Sequence, residues 1–180
     1  DDVGIAVTSG ASLFADSTQV AQNAGGGITL ASGTSAQLRN CMVAGEGGNP
    51  GQPALSATGA NLELLYSTLG LDFNNGGSVL ECSGGSVSIR NSVIVSEASA
   101  GGSEIDCAGA TATNSAVETT LSPTTWFPLF ASGDYSLSAS GQTQFSDIAA
   151  WLNGDPPFDF EGDARPDIDG TADYAGADVP

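Results

Sequence analysis

Three groups of side chains in this 180-residue chain have types and spacings that could do chemistry. Glu81 and Asp106 stand in matching contexts, LECSGGS and IDCAGAT. Stacked on neighbouring turns of a repeat they would lie ~5 Å apart, the close carboxylate pairing that glycoside hydrolysis uses as acid and base or nucleophile. Arg39 and Arg90 also share a context, AQLRN and VSIRN. Two outward guanidiniums on one wall suit a polysaccharide lyase, which needs a base and a cation to neutralise a uronate. The third group is acidic: Asp159, Glu161 and Asp163 alternate, and Asp167, Asp169 and Asp173 follow, with Gly162 and Gly170 letting the backbone turn. A hard Ca²⁺ ion takes such a set of oxygens, which makes Ca²⁺ the cofactor candidate, although no Glu stands at the twelfth position of an EF-hand loop. The competing reading is a solvated acidic loop in which Arg165 pairs with one or two carboxylates and fixes the chain end.

What positions these groups is a repeat. Five copies start near Ile5, Ile28, Leu55, Leu80 and Ile105, about 25 residues apart. Each holds a short apolar alternation, Ser/Thr/Gly punctuation, a second alternation and a polar pair. Alternation is the strand signature, and a short fixed period means a solenoid, so the expected fold is all-β: a right-handed parallel β-helix of about five coils. Residues 1–121 form the coils and 122–180 a C-terminal capping segment of the same domain. The second alternation is expected to point Ser12 and Phe14, Ala36 and Leu38, Leu62 and Leu64, Val87 and Ile89, and Ala110 and Ala112 inward. Their neighbours, from Leu13 and Ala15 to Thr111 and Thr113, face out. Arg39 and Arg90 then sit two coils apart, ~10 Å, with Leu65 between them.

Asn40, Asn91 and Asn114 recur at the corner after this strand, where an amide tolerates a bent backbone, and they read as a structural ladder rather than a binding set. Cys82 and Cys107 share one inward position on consecutive coils. A disulfide and a pair of stacked core thiols both fit that placement. Cys41 stands at a corner with no evident partner. None of the three has the neighbouring base that a nucleophile requires. The loops QNAGGG, GEGGNPGQP, DFNNGGS and SEASAGGS vary in length while the strands keep register, as insertions in solenoids do.

Charge is lopsided: 21 Asp plus Glu stand against three Arg, with no Lys or His, for a net −18. No cationic patch exists to neutralise phosphate, so nucleic acid is excluded as a partner. No apolar run is long enough for a membrane-spanning helix, so this stretch is not expected to insert into a membrane. The opening Asp1-Asp2-Val3, with neither leader nor end cap, reads as a piece of a longer protein.

After Leu121 the repeat stops, and Pro123, Trp126, Phe127, Pro128 and Phe130 arrive together. This aromatic segment, with a helix-like stretch SDIAAWLNG ending at Gly154, should cover the last coil's open end or pack along its side. Its motifs run in order: Pro128-Leu129-Phe130, Gly133-Asp134-Tyr135-Ser136-Leu137, Ser146-Asp147-Ile148-Ala149, Phe158-Asp159-Phe160-Glu161-Gly162-Asp163-Ala164-Arg165-Pro166 and Asp173-Tyr174-Ala175-Gly176-Ala177-Asp178. They resemble the closing segment of bacterial secreted parallel β-helix proteins of the choice-of-anchor Q class. Asp178 stands where the class has Glu, and Glu161 replaces the second Asp of its DxDG. Asn23-Ala24-Gly25-Gly26-Gly27-Ile28 is similar to the GGAI motif of polymorphic outer-membrane-protein repeats. The resemblance implies a secreted or cell-surface bacterial protein with an anchor or sorting region further on, and no particular activity.

The function expected on these grounds is a non-catalytic extracellular module for adhesion, display or glycan contact, stiffened by Ca²⁺ if the acidic set binds it, with a polysaccharide or cell-surface partner. The alternatives are a carbohydrate-active enzyme fragment and a structural spacer before an anchor. Glu81 and Asp106 have small neighbours, Thr29 and Ser56, and no aromatic platform for a sugar. Arg39 and Arg90 are expected to pair with carboxylates on their own acidic wall.

Overall fold

Strands of two to five residues, joined among the described residues by two of eleven, cannot stand alone, so each must take its hydrogen bonds from neighbouring coils. The computed structural model describes residues 2–46, 51–72, 77–97 and 103–180. The first coil holds β1 (Ile5–Val7), β2 (Ser12–Asp16) and β3 (Gln19–Val20), and the second holds β4 (Ile28–Leu30), β5 (Ser35–Arg39) and β6 (Met42–Gly45). In the third and fourth coils the first two strands merge, giving β7 (Leu55–Leu65) with β8 (Thr68–Leu71), and β9 (Leu80–Arg90) with β10 (Val93–Glu97). The last coil has β11 (Ile105–Cys107), β12 (Thr111–Thr113) and β13 (Ala116–Thr120). All pairings between coils are parallel and in register, from Ile5 on Ile28 to Cys107 on Cys82. The five rungs make about four turns of a parallel β-solenoid, with one short α-helix among the described residues. The centres of the three longer loops between coils, and Asp1, lie outside the described residues, so the expected variation in loop length does too.

Leu30, Ala57, Leu38, Leu64 and Ile89 stack inward and are fully or almost fully buried. The first coil departs from expectation by one residue. Register places Leu13 over Ala36 and Ala15 over Leu38, so Leu13 and Ala15 point inward while Ser12 and Phe14 point out. Phe14 is 60% exposed. The corner explains the slip. The left-handed backbone falls on Ser17, Asn40, Tyr66, Asn91 and Asn114 (φ 46 to 54°), so Ser17 rather than Asp16 is the first corner. In the last coil Ala112 keeps its inward column over Ile89 but is exposed, because no rung lies beyond it.

The 122–180 segment takes the second of its two expected placements. It lies along the side of the solenoid, on the outward face of the sheet formed by β3, β6, β8, β10 and β13. Met42, Ala44, Val93, Val95 and Ala116 there share one core with Phe127, Phe130, Tyr135, Phe145 and Trp151. Phe127 stacks on Phe145 at 5.5 Å and meets Tyr135 edge-on at 5.6 Å. Gly70 makes room, since a Cβ there would sit 2.3 Å from the Tyr135 hydroxyl oxygen. The helix is α1 (Ala139–Phe145), capped by Ser138, whose hydroxyl accepts from the Gly141 N–H. The 146–154 stretch is therefore not the helix: Asp147 turns left-handed (φ 59°) and β14 (Ala149–Trp151) pairs antiparallel with β15 (Thr171–Asp173).

Candidate functional site

The outward residues of β2, β5, β7 and β9 form columns one rung apart. One column runs Ser12, Ser35, Asn61, Ser86, and the next runs Phe14, Gln37, Glu63, Ser88, Thr111. Neighbours within the columns are tied together: Ser12 Oγ lies 2.8 Å from Ser35 Oγ, Gln37 Nε2 donates to Glu63 at 2.9 Å, and Ser86 Oγ donates to Asn61 at 2.8 Å. These bonds hold the amides and hydroxyls in one orientation, so little rotamer entropy is left to lose on binding. Together the two columns line a shallow concavity of about 600 Å³ with Phe14 at its end. The wall was hidden in the sequence because Phe14 read as core. The signal that reveals it is the hydroxyl-or-thiol residue after each corner, Thr18, Cys41, Ser67, Ser92 and Ser115, which fixes the first coil's frame.

Glu81 and Asp106 do stack on one outward column, continuing Thr29 and Ser56. They border a smaller hollow of about 190 Å³ beside the Cys82–Cys107 disulfide. Glu81 accepts from the Ser78 N–H at 3.4 Å, and the lining holds no aromatic ring. Arg39 and Arg90 share a column on either side of Leu65, as expected. Arg90 is held by both oxygens of Asp155, with Nη1 donating at 2.8 Å, which raises its pKa and leaves its fork no room for a uronate. Arg39 lies 3.9 Å from Asp16 beside Pro156 and Phe158.

The acidic residues of the C-terminal segment take several different partners. Asp159 is buried, and one of its oxygens accepts from the N–H groups of Glu161, Gly162 and Asp163 while the other accepts from Val179. Glu161 accepts from Ser136 Oγ, and Asp169 from the Asn153 N–H. Asp163 and Asp167 are exposed, and Asp173 is paired with Arg165 at 3.2 Å. Among the described residues no three His, Cys, Asp or Glu side chains gather as a metal-binding group. Arg165 is instead the hub: its guanidinium also donates to Gly176 O at 2.9 Å and to Asn40 Oδ1 at 3.5 Å, and lies 3.9 Å from the Tyr66 ring centre. Burial lowers its pKa, and Asp173 opposes that shift.

The corner asparagines divide as well. Asn40 donates to Phe158 O and Asn91 to Ala150 O, both at 2.9 Å, so these amides tie the solenoid to the C-terminal segment, with Tyr66 interposed between them. Asn114 is exposed at the last corner. The ladder from coil to coil is made one residue later: the N–H groups of Cys41, Ser67 and Ser92 donate to the hydroxyls of Ser67, Ser92 and Ser115. Cys41 is buried outside any disulfide, its thiol donates to Arg39 O at 3.1 Å, and burial pushes that thiol up to about 11.

Asp178 supplies a pH test of this region. Burial, with Glu161, Asp159 and Asp163 nearby, raises its pKa to about 6, against the pull of the Leu137 N–H that it accepts at 2.6 Å. An unfolded Asp titrates near ~3.9. The folded value is the higher one, so the stabilising effect is full below the unfolded pKa and is lost as pH rises through 6. Melting temperature should therefore fall between pH 4.5 and 7, and Asp178→Asn should flatten that part of the profile. An unchanged slope in the variant would assign it to other carboxylates.

No known protein family matches the chain, and neither the curated proteins nor the solved structures hold a detectable relative.

Proposed function

We propose that this chain is a non-catalytic module of a secreted or cell-surface protein that contacts glycan along the outward wall of its first sheet. The observation that carries the reading is the pre-ordered polar wall ending on an exposed aromatic. A pyranose ring offers an apolar face that suits Phe14, and its hydroxyls suit the row of Gln37, Glu63 and Asn61. Charge narrows the class: with Glu63 in the wall and −18 overall, a neutral or amino sugar is favoured and a polyuronate repelled. The disulfide is consistent with an oxidising, extracellular setting. The resemblance of 128–178 to the choice-of-anchor Q class supports the same setting. Its motif residues Phe130, Tyr135, Arg165 and Gly176 are among those that seat the segment on the coils.

The test is calorimetric titration with neutral, amino and uronic oligosaccharides. A neutral or amino oligomer should bind at millimolar affinity or better, and Phe14→Ala should weaken it about tenfold, one lost stacking contact, with melting temperature unchanged. Binding only to uronates, or equal binding by the variant, would overturn the reading.

A further inference from the structure

The concavity on the outward wall is lined by four successive rungs but by only two columns, so it is a trough rather than a round pocket. Three rung spacings of ~4.8 Å make it ~14 Å long, and two columns two residues apart make its floor ~7 Å wide. One side of it is closed. The next outward column, Asp16, Arg39, Leu65 and Arg90, is overlaid by the C-terminal segment: Leu65 is buried in the flank core, Asp155 holds Arg90, and Pro156 and Phe158 lie beside Arg39. The segment is therefore a rim that runs from rung to rung, and a chain molecule lying against it follows the solenoid axis.

We infer, resting on the reading of this wall as a glycan site, that its ligand is a linear glycan of diequatorially linked pyranoses laid along the solenoid axis, one sugar per rung. The spacing carries the inference. A diequatorial linkage advances the chain by about the length of one pyranose per residue, which is close to one rung, so successive sugars meet equivalent outward positions. An axial linkage coils the chain, and a coil leaves a straight trough within a few residues. The polar groups are set out rung by rung to match. Among the described residues Gln37 engages its Nε2 with Glu63, and Asn61 its Oδ1 with Ser86. An amide acceptor on the second rung and an amide donor on the third are then left for hydroxyls, with the other Glu63 oxygen between them to accept from a hydroxyl or an amine. The first rung supplies the ring of Phe14, which stacks on a sugar face, and the fourth supplies the hydroxyl of Ser88. A dimer anchored on Phe14 therefore occupies the first two rungs, and only a tetramer reaches Ser88.

The experiment is calorimetric titration of the whole chain with dimers, trimers and tetramers of diequatorially linked glucose and glucosamine, and with maltotetraose, which is glucose in the coiled linkage. Affinity should rise with each added sugar, about tenfold from dimer to tetramer, and maltotetraose should bind no better than the dimer. Ser88→Leu fills the fourth rung and leaves Phe14 untouched, so the tetramer should lose affinity while the dimer keeps its own. Asn61→Ala, on the third rung, should weaken trimer and tetramer and spare the dimer. Both positions face outward, and an unchanged melting temperature confirms the fold. A tetramer that binds no tighter than the dimer, equal binding of maltotetraose, or a tetramer indifferent to Ser88→Leu and Asn61→Ala overturns the axial placement, and the glycan reading stands if Phe14→Ala still weakens binding. No binding by any oligomer, or binding that ignores Phe14→Ala, overturns the glycan reading and the axial placement together.

Discussion

Replacing Arg165 with Met is expected to lower stability by about 3–5 kcal/mol, the cost of leaving a buried ion without its partner. The side chain of Arg165 is fully buried and that of Asp173 nearly so. With the guanidinium gone, Asp173 is left buried without its cation beside the backbone of Tyr174, and the carbonyl of Gly176 loses its donor. The damage should localise. Asn40, Tyr66 and Arg165 form the contact by which coils two and three hold the far end of the C-terminal segment, so that end should detach while the strand ladder stays. Far-ultraviolet circular dichroism should change little. Trp151, buried and bonded through Nε1 to Pro156 O, should become solvent-exposed and shift its emission to the red. The double variant Arg165→Met with Asp173→Leu should recover part of the loss, because replacing both members of a buried pair removes the unpaired charge. Loss of less than ~1 kcal/mol in denaturant titrations of the single variant would mean that the aromatic core alone seats the segment.

The coils were legible because one period of about 25 residues and alternation within it state both the rise and the inward face. Arg39 with Arg90, Glu81 with Asp106 and Cys82 with Cys107 all share columns, as their matching contexts implied. The first coil misled for a definite reason. Asp16-Ser17 resembles Asn40-Cys41 as a polar pair, yet the corner needs the left-handed backbone at Ser17, and one residue of slip turns every side chain of a strand to the other face. That slip hid Phe14, the aromatic of the candidate wall. The flank segment was only half legible. The strands MVAG, TLGL and VIVS are buried along their length without alternation, as strands covered on both faces are, and that signal went unused. Which residues would cover these strands could not be read, because Arg165 meets Asn40 across 125 residues and no periodicity joins them. The acidic alternation of Asp159, Glu161 and Asp163 was read as ligand spacing. Folded, the same stretch is a turn in which Asp159 accepts from the backbone N–H groups of Glu161, Gly162 and Asp163.

Reducing the Cys82–Cys107 disulfide should destabilise the last coil by about 3 kcal/mol and leave the rest of the molecule nearly unchanged. The bond joins rungs four and five across a sequence separation of 25, and opening a loop of that length returns roughly this much chain entropy to the unfolded state. The last coil has little else. β11 and β12 are short, they are paired on one side only, and Ile105, Cys107 and Ala110 are incompletely buried. β13 is better held, through five register pairs with β10 and through Ala116 in the flank core. Hydrogen exchange after reduction, or in a Cys82→Ser, Cys107→Ser variant, should therefore accelerate over 103–114 and much less over 116–120 or the middle coils. Thiol labelling in reductant without denaturant should modify two cysteines and spare Cys41, which is buried and whose thiol ionises only at about 11. Uniform acceleration across the solenoid would show instead that the five rungs unfold as one cooperative unit.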